Sequence, residues 1–188
     1  MPDFECACCG LCCQRDPYYA LSLLDIENIS VGLEITPVEF FNRYCAVVET
    51  PGGFRYPVIL APEGCPFLKD KLCRIHSSKP IGCLVFPESS LLPVTTLKKS
   101  VRAIESCAIL ALPDSEEPLK ADHELLARRD VNFEHTKAYF EKHDDFDELS
   151  WAAAKDDLKK VLSDADSLAK RSAAIREKAA IAVKHAGQ

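Results

Sequence analysis

The sequence ECACCGLCC, residues 5–13, places five cysteines within nine residues. Four of them form a run with two-residue gaps and an adjacent pair at its end: Cys6, Cys9, Cys12 and Cys13. A two-residue gap lets the backbone bend around one centre and present two sulfurs to it. Gly10 suits such a bend, because glycine adopts positive φ without a steric penalty. The segment predicts thiolates gathered around metal.

Two other uses of clustered cysteines are less well supported. Cys12 and Cys13 do not bridge each other readily, because favoured disulfides place their Cα atoms about 5.5 Å apart and neighbours lie about 3.8 Å apart. The N-terminus lacks the basic and apolar regions of a secretory signal, so we expect a cytoplasmic protein, in which disulfides are rare. A thioredoxin-like pair of Cys6 and Cys9 needs a preceding strand, and five residues leave no room for one.

The adjacent pair also bears on the number of metal centres. Consecutive side chains of an extended segment point to opposite sides, so Cys12 and Cys13 suit two neighbouring centres or one polynuclear cluster. Downstream thiolates complete a predicted set of eight, enough for two four-sulfur sites: Cys65, Cys73, Cys83 and Cys107. Four thiolates suit zinc. The Cys-x2-Cys-x2-Cys run also begins the bacterial ferredoxin motif, for which Cys65-Pro66 offers a remote Cys-Pro. Zinc and an iron–sulfur cluster therefore both remain open.

The patterning predicts an α+β fold with two parts. Residues 1–110 hold all ten cysteines and form a small, irregular, metal-organised domain of short strands and helices. Residues 111–188 form a helical region. The individual elements predicted are a helix capped by Ser22 and Asp25 and ending near Ile29, a helix that begins at Thr36-Pro37 and continues to Cys45, strands at 56–60 and 72–76 joined by a hairpin connection at 68–71, a short helix or turn around Cys83, and a helix over 119–142. The segment 91–104 is ambiguous between strand and helix.

The last 42 residues, 147–188, contain neither proline nor cysteine and show a heptad repeat. Positions recurring every seven residues are Trp151, Leu158, Ala165, Ser172 and Ala179, and the second series is Ala154, Val161, Leu168, Ile175 and Ala182. This seam of mostly small residues predicts a long helix. The helix is expected to pack on the domain's own surface or to self-associate as a homodimer.

Two stretches, FECACCGLCC at 4–13 and GCPFLKDKLCRIHSSKPIGCLVFP at 64–87, carry a resemblance to a known family. They resemble the YkgJ-type cysteine cluster family, a zinc- or iron-chelating domain with eight shared cysteines. The similarity covers roughly residues 4–110. It implies metal ligation by Cys6, Cys9, Cys12, Cys13, Cys65, Cys73, Cys83 and Cys107. At the last of these the family often has Cys-Pro-Gly, where this chain has Cys107-Ala108-Ile109, and Cys8 and Cys45 have no counterpart.

The sequence thus predicts a metal-binding protein that holds zinc or an iron–sulfur cluster. The alternatives are an iron–sulfur electron-transfer or redox-sensing protein, and an adaptor that binds a partner through the 147–188 helix. The net charge of −6 and the lack of basic runs argue against a general nucleic-acid binder, and no apolar run is long enough for a membrane span. No nucleophile elbow, phosphate loop or dinucleotide motif occurs, so no catalytic residue is predicted.

Several polar residues near the cysteines are candidates for supporting roles. His76 lies close to the ligands in sequence, as an additional ligand or a hydrogen-bond partner of one. Each site with four thiolates carries a net negative charge. The cations close enough in sequence to offset it are Arg15, Lys71, Arg74 and Lys79.

Overall fold

The computed structural model describes Gly10, Cys13 and residues 18–70, 72–86, 92–101, 107–119 and 123–158. Within these ranges the fold is α+β as predicted, with short antiparallel strands, six α-helices and a helical C-terminal part. The strands are β1 (Tyr18–Ala20), β2 (Cys45–Glu49), β3 (Arg55–Leu60), β4 (Leu68–Lys69) and β5 (Leu72–Cys73). The helices are α1 (Leu23–Leu33), α2 (Pro37–Tyr44), α3 (Ile81–Leu84), α4 (Val94–Val101), α5 (His123–Lys142) and α6 (Glu148–Asp157).

The main sheet has three antiparallel strands in the order β1-β3-β2. Strand β3 is central, and its Ile59 lies opposite Tyr19 on one side and Cys45 on the other. The predicted strand at 56–60 is therefore confirmed, but its expected partner is wrong. It pairs with β1 and β2, two strands that the sequence patterns did not indicate, because one has three residues and the other directly follows a helix.

The second sheet is a two-stranded hairpin in which Leu68 pairs with Cys73 and Lys69 with Leu72. Asp70 adopts positive φ (51°) in the turn between the strands. The predicted strand at 72–76 ends early, at Cys73, since the amide of Arg74 already bonds back to Phe67 O over 2.8 Å. A short 3-10 turn, His76–Ser78, then leads toward α3.

Both predicted helix starts are confirmed by their caps. The Ser22 hydroxyl accepts from Asp25 N, and the Asp25 carboxylate accepts from Ser22 N, which completes the capping box of α1. Thr36 caps α2 and Pro37 occupies its first turn. Helix α1 runs past its expected end to Leu33, where Glu34 closes it in the left-handed conformation.

One hydrophobic core joins the N-terminal elements to the C-terminal helices. Helices α1 and α2, the segment 65–84 and helices α5 and α6 all contribute side chains at most 5% exposed, among them Leu24, Ile29, Phe40, Phe67, Ile81, Leu84, Phe140 and Trp151. Trp151 and Leu158 of the first heptad series are buried there, and Ala154 packs against the same cluster. The other heptad residues lie outside the described part of the chain. None of the helices in the described ranges combines the length and apolar character needed to cross a membrane.

Helix α1 approaches the turn at 76–78 closely at Gly32. A Cβ atom at Gly32 would lie 2.5 Å from the Ser78 Oγ atom and 3.0 Å from its Cβ atom. Ser78 is 4% exposed, so it has little room to retreat. Glycine is therefore required here for packing, and it seats α1 against the segment between Cys73 and Cys83.

We expect Gly32→Ala to lower the free energy of unfolding by about 1–2 kcal/mol, because overpacking costs about 1–3 kcal/mol and alanine regains up to about 1 kcal/mol in a helix. Adding Ser78→Ala should restore part of the loss, because it removes the 2.5 Å contact with Oγ and keeps the 3.0 Å contact with Cβ. The buried Ser78 hydroxyl has no hydrogen-bond partner among the described residues, so its removal leaves nothing unpaired. Urea unfolding of the single and double variants measures both effects. A Gly32→Ala protein as stable as wild type would contradict the close approach.

Candidate metal centre

A backbone hydrogen bond joins the N-terminal cysteine run to the downstream cysteines. Cys65 N donates to Cys13 O over 2.8 Å, although 52 residues separate the two in sequence (65 − 13 = 52). Cys65 directly follows Gly64, which has φ of 97°, and Cys13 comes three residues after Gly10, which is buried with φ of 75°. The positive φ predicted for Gly10 is confirmed. The fold therefore brings Cys13, the last cysteine of the N-terminal run, next to Cys65.

Cys65 and Cys73 stand at the two sides of the β4–β5 hairpin. Leu68 N bonds to Cys65 O over 3.0 Å, which forms a tight turn directly after Cys65. Both cysteines are half-buried and pack against the main hydrophobic core. His76 follows Cys73 by three residues and is only 5% exposed. The hairpin thus places two predicted ligands and the candidate histidine in one compact segment.

Cys83 lies on α3, a single helical turn framed by Pro80 and the end of the segment at Phe86. The short-helix geometry predicted around Cys83 is confirmed. Ile81 and Leu84 anchor this turn in the main core at 0% and 5% exposed, while Cys83 is half-buried. Two of the proposed compensating cations differ in burial, since Lys79 is 8% exposed and Arg74 is exposed.

Cys107 occupies a second, smaller apolar cluster. It is 7% exposed and lies among buried residues of α4 and of the 3-10 turn Ala108–Ala111, including Leu97 and Ile109. Phe86, three residues after Cys83, packs against the same cluster. This shared cluster is the connection between Cys107 and the α3 segment.

Five of the eight predicted ligands are therefore in the described part of the chain: Cys13, Cys65, Cys73, Cys83 and Cys107. Three predicted ligands, Cys6, Cys9 and Cys12, lie outside the described residues, as do Cys8, Arg15 and Lys71. Among the residues that the structure describes, no three of His, Cys, Asp or Glu form a group that could hold a metal ion.

Cys45 has a different environment from the predicted ligands. It is the first residue of β2 rather than part of the preceding helix, opposite Ile59 in the register, and it packs against the core. Burial raises the pKa of its thiol from 9.0 to about 12. A protonated thiol is a poor nucleophile and a poor metal ligand. Cys45 acts here as a small apolar residue.

The free energy of unfolding should fall as pH rises from about 9 toward about 12, by up to about 1.4 kcal/mol per pH unit. In this window the unfolded chain releases the Cys45 proton while the folded protein retains it, so the unfolded state binds fewer protons and gains stability. Cys45→Ala should make the pH dependence shallower. Urea unfolding of both proteins between about pH 8.5 and 10.5 measures the slopes. Equal slopes would contradict the raised pKa.

Asp25 bonds to the helix that carries Cys83, and sequence patterns predict only its capping role. Its Oδ2 atom accepts from Ser22 N and Ser22 Oγ, both over 2.8 Å, and its Oδ1 atom accepts from Ile81 N over 2.7 Å. The residue is 2% exposed. Burial raises the pKa of its carboxyl group, although these three hydrogen bonds oppose the shift. The capping box was visible in the sequence; the bond to the first residue of α3, 56 positions away, was not.

Comparison with known families shows what the chain is similar to. A family model named CxxCxxCC, described as a "putative zinc- or iron-chelating domain", matches residues 5–109, more than half of the 188 residues. The matched range spans the N-terminal run and every downstream cysteine. No curated protein and no solved structure matches the chain.

Proposed function

The chain belongs to the CxxCxxCC family of zinc- or iron-chelating domains, and on that premise we propose that it is a metal-binding protein whose cysteine thiolates hold zinc or iron. The observation that carries the proposal is the bond from Cys65 N to Cys13 O. It ties Cys13, the last cysteine of the N-terminal run, to Cys65, which lies three residues before the hairpin that bears Cys73. A metal ion that links these two segments needs ligands from each of them, and both carry cysteines.

The proposed ligands are Cys6, Cys9, Cys12, Cys13, Cys65, Cys73, Cys83 and Cys107. Thiolates are preferred ligands of zinc and of iron–sulfur clusters, so the donor chemistry fits both. When bound, zinc would supply a structural cross-link, and an iron–sulfur cluster would supply one-electron transfer. The proposal includes an iron–sulfur cluster because Cys65-Pro66 matches the Cys-Pro of the ferredoxin motif. A cluster would imply an electron-transfer or redox-sensing role.

Charge near the ligands supports the same function. Several thiolates in one place repel each other unless cations or hydrogen-bond donors oppose them. Lys79 lies four residues before Cys83 and is 8% exposed, which is unusual for lysine. We propose that its ammonium group offsets thiolate charge. Ligands that must stay reduced and deprotonated are also consistent with a cytoplasmic location.

We expect Cys65→Ser and Cys83→Ser to lower the metal bound per chain, because each replaces a soft thiolate by a weakly coordinating hydroxyl. Cys45→Ser is the matched control and should leave metal content unchanged, since Cys45 is a core residue of β2. Metal is counted by elemental analysis on protein purified without oxygen. Metal loss in Cys45→Ser together with full metal content in Cys65→Ser would overturn the ligand assignment.

A further inference from the structure

We infer that Asp25 is a positioning residue of the metal site, because its buried carboxylate holds the amide of Ile81 and thereby fixes the short helix that carries Cys83. This inference rests on the proposed function, in which Cys83 is a ligand. The bond from Ile81 N to Asp25 Oδ1 is 2.7 Å long and crosses 56 positions of sequence. It is separate from the capping role of Asp25, which uses Oδ2.

The start of α3 depends on the bond from Asp25, because the capping residue of α3 provides no side-chain hydrogen bond. The residue before the helix is Pro80, which provides no side-chain hydrogen bond to the first turn. The first amides of a helix have no partner within it, and a carboxylate at this end is a favourable acceptor. Asp25 therefore replaces a local cap with one from α1. Cys83 lies two residues after Ile81 in the same helical turn, so the bond to Asp25 also fixes the position of Cys83.

Helix α1 contacts the ligand-bearing segment at a second point on the same face. Gly32 lies seven residues, about two helical turns, after Asp25 and contacts Ser78. The rigid face from Asp25 to Gly32 thus runs along the segment between Cys73 and Cys83. Movement of α3 away from this face would require the Asp25–Ile81 bond to break. A fixed Cys83 sulfur loses less freedom on binding metal, which favours affinity.

The test uses Co²⁺ added to metal-free protein, since thiolate-to-cobalt absorption bands report both binding and ligand geometry. We expect Asp25→Ala to weaken Co²⁺ binding by about 10- to 100-fold, the range found for residues that orient ligands, and to alter the bands. Ser22→Ala is the matched control. It removes a partner from the other oxygen of the same carboxylate and leaves the Ile81 bond in place, so it should lower the melting temperature and keep Co²⁺ affinity and spectrum unchanged.

A double-mutant cycle separates positioning from general destabilisation. In a Cys83→Ser background, Asp25→Ala should cause no further loss of Co²⁺ affinity, because the ligand that it positions is already gone. An equal loss in both backgrounds would overturn the inference and leave the proposed function intact. Full affinity in Cys83→Ser alone would overturn Cys83 as a ligand, and the inference with it.

If Asp25→Ala does not fold, Asp25→Asn replaces it. Ser22 N and Ile81 N bond different oxygens of Asp25, and the carboxamide puts an NH2 group in place of one of them, so one amide loses its acceptor. If the Ile81 amide keeps its hydrogen-exchange protection in this variant, Co²⁺ affinity should be unchanged. If the amide loses its protection, Co²⁺ affinity should fall. Reduced affinity with a protected Ile81 amide, or full affinity with an unprotected one, would overturn the inference.

Discussion

Removal of the metal by a chelator is expected to lower the free energy of unfolding by about 4 kcal/mol for a protein held at a thousandfold its metal Kd. The loss should be local. The Cys65 amide, bonded to Cys13 O, should lose hydrogen-exchange protection, because metal ties these two segments together in the proposal. The Leu23 amide, bonded to Thr136 Oγ1 over 2.9 Å between α1 and α5, should remain protected.

The reason for a local loss is the size of the main core. Small zinc fingers unfold without metal because they bury little else. Here α1, α5 and α6 bury large side chains, including Phe140 at 2% and Trp151 at 4% exposed. Helical circular dichroism should therefore largely persist in the metal-free protein. An unprotected Leu23 amide in the metal-free protein would contradict this division, and unchanged protection at Cys65 would contradict a metal link there.

Trp151→Ala is expected to lower the free energy of unfolding by about 3–5 kcal/mol, the usual cost of truncating a buried aromatic residue. Its ring lies 5.4 Å from that of Phe146, and both belong to the core shared with α1. Leu149→Ala on the same helix is the control. Leu149 is 84% exposed, so its change should stay within about 0.5 kcal/mol. Urea unfolding followed by circular dichroism measures both, since Trp151 is the single tryptophan and its loss removes the fluorescence signal.

The same variant distinguishes packing within one chain from a dimer seam. If Trp151 stabilises its own domain, the loss is independent of protein concentration. A loss that appears only at high protein concentration would place Trp151 in an interface between copies. Self-association through the later heptad positions stays a separate prediction.

Local signals in the sequence predicted local structure well. The Ser22–Asp25 capping box and the Thr36-Pro37 start are determined by a few neighbouring residues, and both helices begin where expected. Strand pairing was less predictable. The strands at 18–20 and 45–49 are short and are defined by their shared partner β3, which lies distant in sequence. A pattern within one segment does not encode such a pairing.

In the candidate site, too, features set by neighbouring residues were predictable and contacts between distant segments were not. Ligand types and the bend at Gly10 follow from spacing, and the positive φ of Gly10 agrees. The backbone bond between Cys13 and Cys65 and the link from Asp25 to Ile81 are tertiary contacts, which no motif in either segment specifies. Metal identity depends on sulfur positions that spacing alone does not fix, because the same thiolates suit zinc and iron–sulfur clusters.

The most direct measurement is the content of zinc, iron and acid-labile sulfide, with a visible absorption spectrum, in untagged protein purified without oxygen. We expect stoichiometric metal, with the ligand thiols protected from a thiol reagent until the metal is removed. A colourless zinc protein would assign zinc sites, and a brown protein with iron and sulfide would assign a cluster. The contradicting result is protein that contains neither zinc nor iron. In such protein most thiols would react in the folded state, and all ten would react in denaturant without a reducing agent.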